Sequence, residues 1–335
     1  MVLANVTGGY NGSLAAPVPV EKAVACAMLG LASLIGIPGN LLVIWTIVLR
    51  IKRRTPTIAL IFTLALADFL VLVTVPFWIY ALAYAWVFGL AFWKTAMYVI
   101  FTSMYMSVFL IVAMGVERLL AVLCPFALKR WRKPATTRNT LACMLVVSLL
   151  LALPNATLHV QLDAKGRPLH RVYSSRQQEL ALLLLETLVG FLIPFVSLSI
   201  SYSAISNRIR QMTGTNKKRA VKLIASIVVA FVLCWSPYHI VNLIRITCML
   251  AYPDSFHDWD KMYRTAKNAA GALAFISSCI NPILYAFAAR NFNMGFKASN
   301  LAKVFDQMSS SIREKRDKES NENERRSESA DMLQL

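Results

Sequence analysis

Residues 58–84 read IALIFTLALADFLVLVTVPFWIYALAY, and Asp68 is the one charged residue among them. A run this apolar exceeds the roughly 20 residues that an α-helix needs to cross a bilayer core. A buried strand would end after about four to eight. Two residues resist that setting. A carboxylate at a membrane helix centre costs about 2.5–3.5 kcal/mol on insertion scales, and Pro76 removes a backbone hydrogen bond. Both therefore point to function rather than to anchoring alone.

Comparable runs recur at 24–49, 96–123, 141–159, 180–205, 223–250 and 266–288, which with 58–84 makes seven. The whole chain agrees: 57% of its residues are hydrophobic, 16% are charged, and the mean hydropathy is +0.55. The predicted fold is all-α, an integral membrane bundle of seven transmembrane helices with a short amphipathic cytosolic helix. Four regions follow: an extracellular segment 1–22, the bundle 23–289, a membrane-surface helix 290–306 and a disordered cytosolic tail 307–335. The first span is expected to insert without a cleavable signal peptide.

The net charge of +18 is not spread evenly. The segments after spans one, three and five carry Arg50, Lys52, Arg53 and Arg54; Lys129, Arg130, Arg132, Lys133 and Arg138; and Arg208, Arg210, Lys217, Lys218, Arg219 and Lys222, with no acid between them. On the other side Lys22, Lys165, Arg167, Arg171, Arg176, Lys261, Arg264 and Lys267 are nearly offset by Glu21, Asp163, Glu179, Asp254, Asp258 and Asp260. The positive-inside rule then puts the amino terminus outside the cell, at the plasma membrane. The sequons at Asn5 and Asn11 suit that orientation, while Asn155 lies too near the membrane to be glycosylated. Nucleic-acid binding is excluded, because topology accounts for the basic excess.

Beyond Asp68, the spans hold Glu117-Arg118 at the end of the third, Glu186 in the fifth and Arg245 in the sixth. Asn40, Ser107, Ser277, Ser278 and Asn281 can share a buried pocket with Asp68, a candidate site for an allosteric sodium ion; no other cofactor is implied. Pro76, Pro194, Pro237 and Pro282 fall inside spans, where bent helices can pivot. An enzyme is excluded, since His159, His170, His239 and His257 form neither a metal-ligand spacing nor a nucleophile and base pair. A transporter would show paired broken spans in an internal repeat. An opsin would need a lysine where span seven reads Ala272-Leu273-Ala274-Phe275.

Taken in order, Gly39-Asn40, Leu66-Ala67-Asp68, Glu117-Arg118, Pro194, Cys234-Trp235-Ser236-Pro237 and Asn281-Pro282-Ile283-Leu284-Tyr285 resemble the motifs of rhodopsin-like (class A) G-protein-coupled receptors. The resemblance implies that Glu117 restrains Arg118 at rest. Tyr202 and Tyr285 would support Arg118 in the active state, and Trp235 with Phe231 would relay ligand contact. Within that superfamily, Ser103-Met104-Tyr105, Leu185-Glu186, the stretch from Gly190 to Phe195, the stretch from Pro237 to Leu243, and Asn268 with the stretch from Ala272 to Ser278 look most like the leukotriene B4 receptors.

That likeness implies an anionic lipid ligand, leukotriene B4, and leukocyte-type chemotaxis through heterotrimeric G proteins of the inhibitory class. A receptor for a chemoattractant peptide and a binding-only decoy are the alternatives. A hydroxylated fatty acid needs a cation for its carboxylate, partners for its hydroxyls and apolar walls. Lys267, Arg245, Arg264 and His159 are candidates for the first task, Glu186, Tyr238 and Asn242 for the second, and Met97, Met104, Tyr105 and Phe275 for the third, with Asn268 beside them.

The chain departs from the superfamily in three places. Trp93-Lys94 stands where the third span carries a disulfide-forming cysteine, and 160–178 lacks the partner; Leu145 replaces a tryptophan; Leu119 follows Arg118 in place of an aromatic residue. Cys26 and Cys248 are the one alternative pair on the outer side. Beyond span seven, 291–305 mixes Phe292, Phe296 and Leu301 with Lys297 and Lys303, the pattern of a helix lying on membrane lipid. In the tail Ser309, Ser310, Ser311, Ser320, Ser327 and Ser329 are candidate sites for a receptor kinase, and their phosphates would recruit an arrestin.

Overall fold

The computed structural model describes residues 20–51, 55–124, 128, 133–166, 168–209, 215–252 and 260–291, and within these the side chains of Arg118, 206–209, 215–224 and 284–291, among others, are not described. The sequons at Asn5 and Asn11, the surface helix from 292 onward and the tail serines all lie outside these residues.

Seven long rods form the bundle: α1 (Val20–Arg50), α2 (Pro56–Ala83), α3 (Leu90–Leu123), α4 (Pro134–Thr157), α5 over 176–209, α6 (Thr215–Ala251) and α7 (Asp260–Asn291). Six of the described helices are long and apolar enough to cross a membrane. The seventh, α7, is 32 residues long but carries Lys267, Asn268 and Asn281 through its middle. α3 is the central post, touching α2, α4, α5 and α6, while α1 and α7 close the ring beside α2.

Local chemistry starts these rods where they start. Thr55 caps α2 by accepting the Ile58 N–H, with Pro56 filling the first helical position, where no N–H is needed. Ser175 caps α5 by accepting the Gln178 N–H at 3.1 Å, and the Gln178 amide oxygen takes the Ser174 N–H at 2.6 Å.

α5 is interrupted. Between Arg176–Thr187 and Ile193–Ile209 runs a π-helical turn, Leu188–Leu192, in which the Ile193 N–H reaches back to the Leu188 carbonyl. Pro194 has no N–H for the Gly190 carbonyl, and widening the turn relieves the proline ring against the preceding backbone.

α1 reaches α7 through glycine. A Cβ on Gly36 would stand 2.5 Å from Leu72 Cδ1 and 2.8 Å from Cys279 Cβ, and one on Gly39 would stand 2.9 Å from Pro282 Cβ. The close approach lets Asn40 donate to the Ser278 carbonyl at 3.0 Å. α4 is the most peripheral rod. Its buried residues, Ser148, Ala152 and Asn155, form one stripe, and Leu145 is 46% exposed, so the missing tryptophan leaves no hole in the core.

The segment between α4 and α5, read from the sequence as a loop, contains an antiparallel hairpin of β1 (His159–Leu162) and β2 (Pro168–Val172). Its turn is closed by the Gly166 N–H to the Asp163 carbonyl at 2.9 Å, with Gly166 at φ +71°. All six cysteines are free, and Cys26 donates to the Ile79 carbonyl instead of meeting Cys248. Where the expected bridge would stand, Trp93 is buried in an aromatic cluster with Trp86, Trp78, Phe77 and Phe92, and Val160 of the hairpin packs on it. Trp78 and Trp86 stand 4.8 Å apart, Trp86 stacks on Phe92 at 5.7 Å, and the Trp86 indole donates to the Gly89 carbonyl at 2.8 Å.

Candidate functional site

The buried positions of α6 run Phe231, Tyr238, His239, Asn242, Arg245, Ile246 and Met249, spacings that trace one inward stripe of a helix. Toward the hairpin end that stripe turns polar. α5 answers with its own inward positions, Glu179, Leu182, Leu183, Glu186, Thr187 and Gly190. A polar nest therefore sits between α5, α6 and α7.

Glu186 is its centre and is 1% exposed. Its Oε2 accepts from the Tyr238 hydroxyl at 3.0 Å and the Asn242 amide at 3.4 Å, and pairs with Lys267 Nζ at 3.7 Å. A buried carboxylate needs such partners to remain tolerable. Lys267 also donates to the Tyr263 hydroxyl at 3.0 Å and lies over the rings of Tyr238 and Tyr263. Asn242 Oδ1, Thr187 Oγ1 and both ring nitrogens of His239 are buried with no hydrogen-bond partner among the described residues.

One turn farther toward the hairpin end, Arg245 is held fast. Its Nε lies 2.9 Å from Glu179, its other side pairs with Asp260, and its guanidinium covers the Tyr263 ring. Arg264 in turn pairs with Asp260 at 3.2 Å. This clamp joins α5, α6 and α7 and commits the buried Arg245 to carboxylates already present, while Lys267, 12% exposed, faces Glu186 and Arg264 is 44% exposed. His159 starts the hairpin and is exposed, and Asn268 is exposed on α7; among the described residues no hydrogen bond or ion pair joins either of them to Glu186. Tyr105 is fully buried with Phe101 and Met104, and Met97 packs against both this cluster and the Trp93 group.

Below this nest, the Trp235 indole donates to Ser277 Oγ at 3.1 Å, and its ring lies 6.1 Å from both Phe231 and His239. Deeper still, Asp68 accepts from Asn281 at 2.7 Å and from Ser107 at 3.4 Å. The Ser278 side chain is a further hydrogen-bond partner of Asp68, while Ser277 accepts from Trp235. One carboxylate beside hydroxyls, with the Asn281 amide donating to it, carries the low charge that suits a monovalent cation; a calcium site would gather several carboxylates.

At the end opposite the hairpin, Glu117 is fully buried and both its oxygens accept from the Thr57 hydroxyl, at 2.7 and 2.9 Å. Thr57 was not among the residues expected here, since nothing in the sequence marks one threonine of α2 as the partner of a carboxylate on α3. The side chains of Arg118 and Tyr285 lie outside the described set, and Tyr202 is 40% exposed on α5. Pro282 packs on Gly39.

Residues 39–285 match the model of the seven-transmembrane receptor (rhodopsin) family. The chain belongs to that family. It is a multi-pass membrane receptor and not an enzyme, and it works through a ligand and a G protein. Human leukotriene B4 receptor 1 is 37% identical over 298 residues, covering 87% of this chain and 85% of the relative. Human leukotriene B4 receptor 2 is 38% identical over 277 residues, covering 80% and 76%. The zebrafish (Danio rerio) apelin receptor A is 29% identical over 289 residues, covering 80% and 78%.

Proposed function

We propose that this receptor responds to leukotriene B4 and carries its signal to G proteins of the inhibitory class in leukocyte-type chemotaxis, with the amino terminus and the hairpin end outside the cell. The observation that carries the reading is the Glu186 nest, a half-buried cation, Lys267, paired with a buried carboxylate beside donors and acceptors with capacity to spare. The names of its relatives, leukotriene B4 receptors 1 and 2, support the same ligand.

In this reading Lys267 takes the ligand carboxylate, while Tyr238, Asn242 and Glu186 take hydroxyls. The acyl chain lies along Met97, Met104, Tyr105 and Phe275. Binding acts by differential affinity: only contacts better made in the active arrangement shift the bundle toward it. Trp235, tied to Ser277 beneath the nest, is the natural relay to the Asp68 group, where a sodium ion stabilises the resting arrangement, and on to Arg118. Phosphorylation of the tail by a receptor kinase and capture by arrestin end the signal.

The test is expression of the full chain in cells, with cyclic AMP suppression and calcium release measured against a lipid and peptide panel. A leukotriene B4 response that is lost in Arg118→Ala, with surface expression kept, is expected. Responses to peptides alone would refute the lipid assignment, and binding without any signal would make the chain a decoy.

A further inference from the structure

His239 is fully buried on α6, one turn below Asn242, and among the described residues neither of its ring nitrogens has a hydrogen-bond partner. The ring lies flat on Phe191 of the π-helical turn, centroids 4.8 Å apart and planes 15° apart, and edge-on to Tyr238 at 5.3 Å. Gly190 lets the backbone of the π-helical turn come close to the ring: a Cβ there would meet the imidazole Cε1 at 3.5 Å, Nε2 at 3.8 Å and the Met104 methyl at 3.8 Å.

A phenylalanine would stack on Phe191 equally well and leave no polar atom unsatisfied. An imidazole in this place keeps a donor and an acceptor in reserve. Met104, an unbranched and readily repacked side chain, is what a guest would displace to reach it. The partner must both give and take a hydrogen bond without bringing charge into an apolar wall, which is the chemistry of an alcohol.

We propose that His239 is the specificity residue for one hydroxyl of the lipid ligand, at the floor of the pocket between the π-helical turn and Trp235. The proposal rests on the leukotriene B4 reading above and adds to it a contact that distinguishes hydroxylated from plain fatty acids. It also puts a ligand oxygen next to the ring that relays activation.

The experiment is competition binding on membranes from cells expressing the full chain, using leukotriene B4 and two analogues, each lacking one hydroxyl. Wild type is compared with His239→Phe, His239→Leu and His239→Gln, each quantified at the cell surface. In wild type one analogue should bind about tenfold more weakly than leukotriene B4, the strength of a single hydrogen bond. In the Phe and Leu variants that difference should vanish, and the Gln variant should keep part of it. An unchanged difference in the apolar variants, or no difference in wild type, overturns the assignment of His239 alone. Failure of wild type to bind leukotriene B4 overturns the ligand reading and this proposal with it.

Discussion

Glu186 shows how a single residue organises a membrane pocket. Its Oε2 accepts two hydrogen bonds and faces an ammonium, so each partner contributes to keeping the charge buried. Tyr238→Phe removes one charge-assisted bond and should lower the stability of the ligand-free receptor by about 2 kcal/mol, measured as detergent-solubilised melting. Thr57→Val strips Glu117 of the hydroxyl that meets both its oxygens and should cost a similar amount, about 2 kcal/mol, without changing ligand affinity at the distant nest. The carboxylates were legible in the sequence because ions are rare inside apolar spans. Their partners were not, since a tyrosine, an asparagine or a threonine is recognisable as a partner only when another helix delivers it.

At the scale of elements, the close contact of α1 with α7 and the aromatic group near the hairpin join the Arg245 clamp in holding the ring. Gly36→Leu would drive side-chain atoms into Leu72 and Cys279; the expected outcome is a loss of about 1–3 kcal/mol in a melting experiment, with stretching of the Asn40 bond to Ser278. Trp86→Ala would empty the middle of the aromatic cluster and should cost about 3–5 kcal/mol, read as lower melting temperature and fewer receptors at the surface. Helices were readable from long apolar runs. The hairpin was not, because four or five polar-rich residues carry too little periodicity, and neither was the π-helical turn, although Pro194 marked a place where the ladder must break.

For the whole molecule, the absence of any disulfide among the six cysteines has a direct consequence. A reductant such as dithiothreitol should leave both the melting temperature and ligand binding unchanged, whereas a receptor stapled by an extracellular bridge would lose stability; a marked shift here would contradict the aromatic replacement. Taken alone, the sequence determined the number of spans, the side on which the basic residues gather, the motifs of the rhodopsin family and the identity of Asp68, Glu117 and Glu186 as buried ions, because each depends on composition and order along the chain. Only the tertiary structure decided that Arg245 is committed to Glu179 and Asp260, that Lys267 faces Glu186, that Asn268 and His159 are exposed, and that His239 lies flat on Phe191. Those facts depend on which face of one helix meets which face of another, and packing across a bundle brings together residues far apart in the chain, Glu186 with Tyr238 and Glu179 with Arg245 among them.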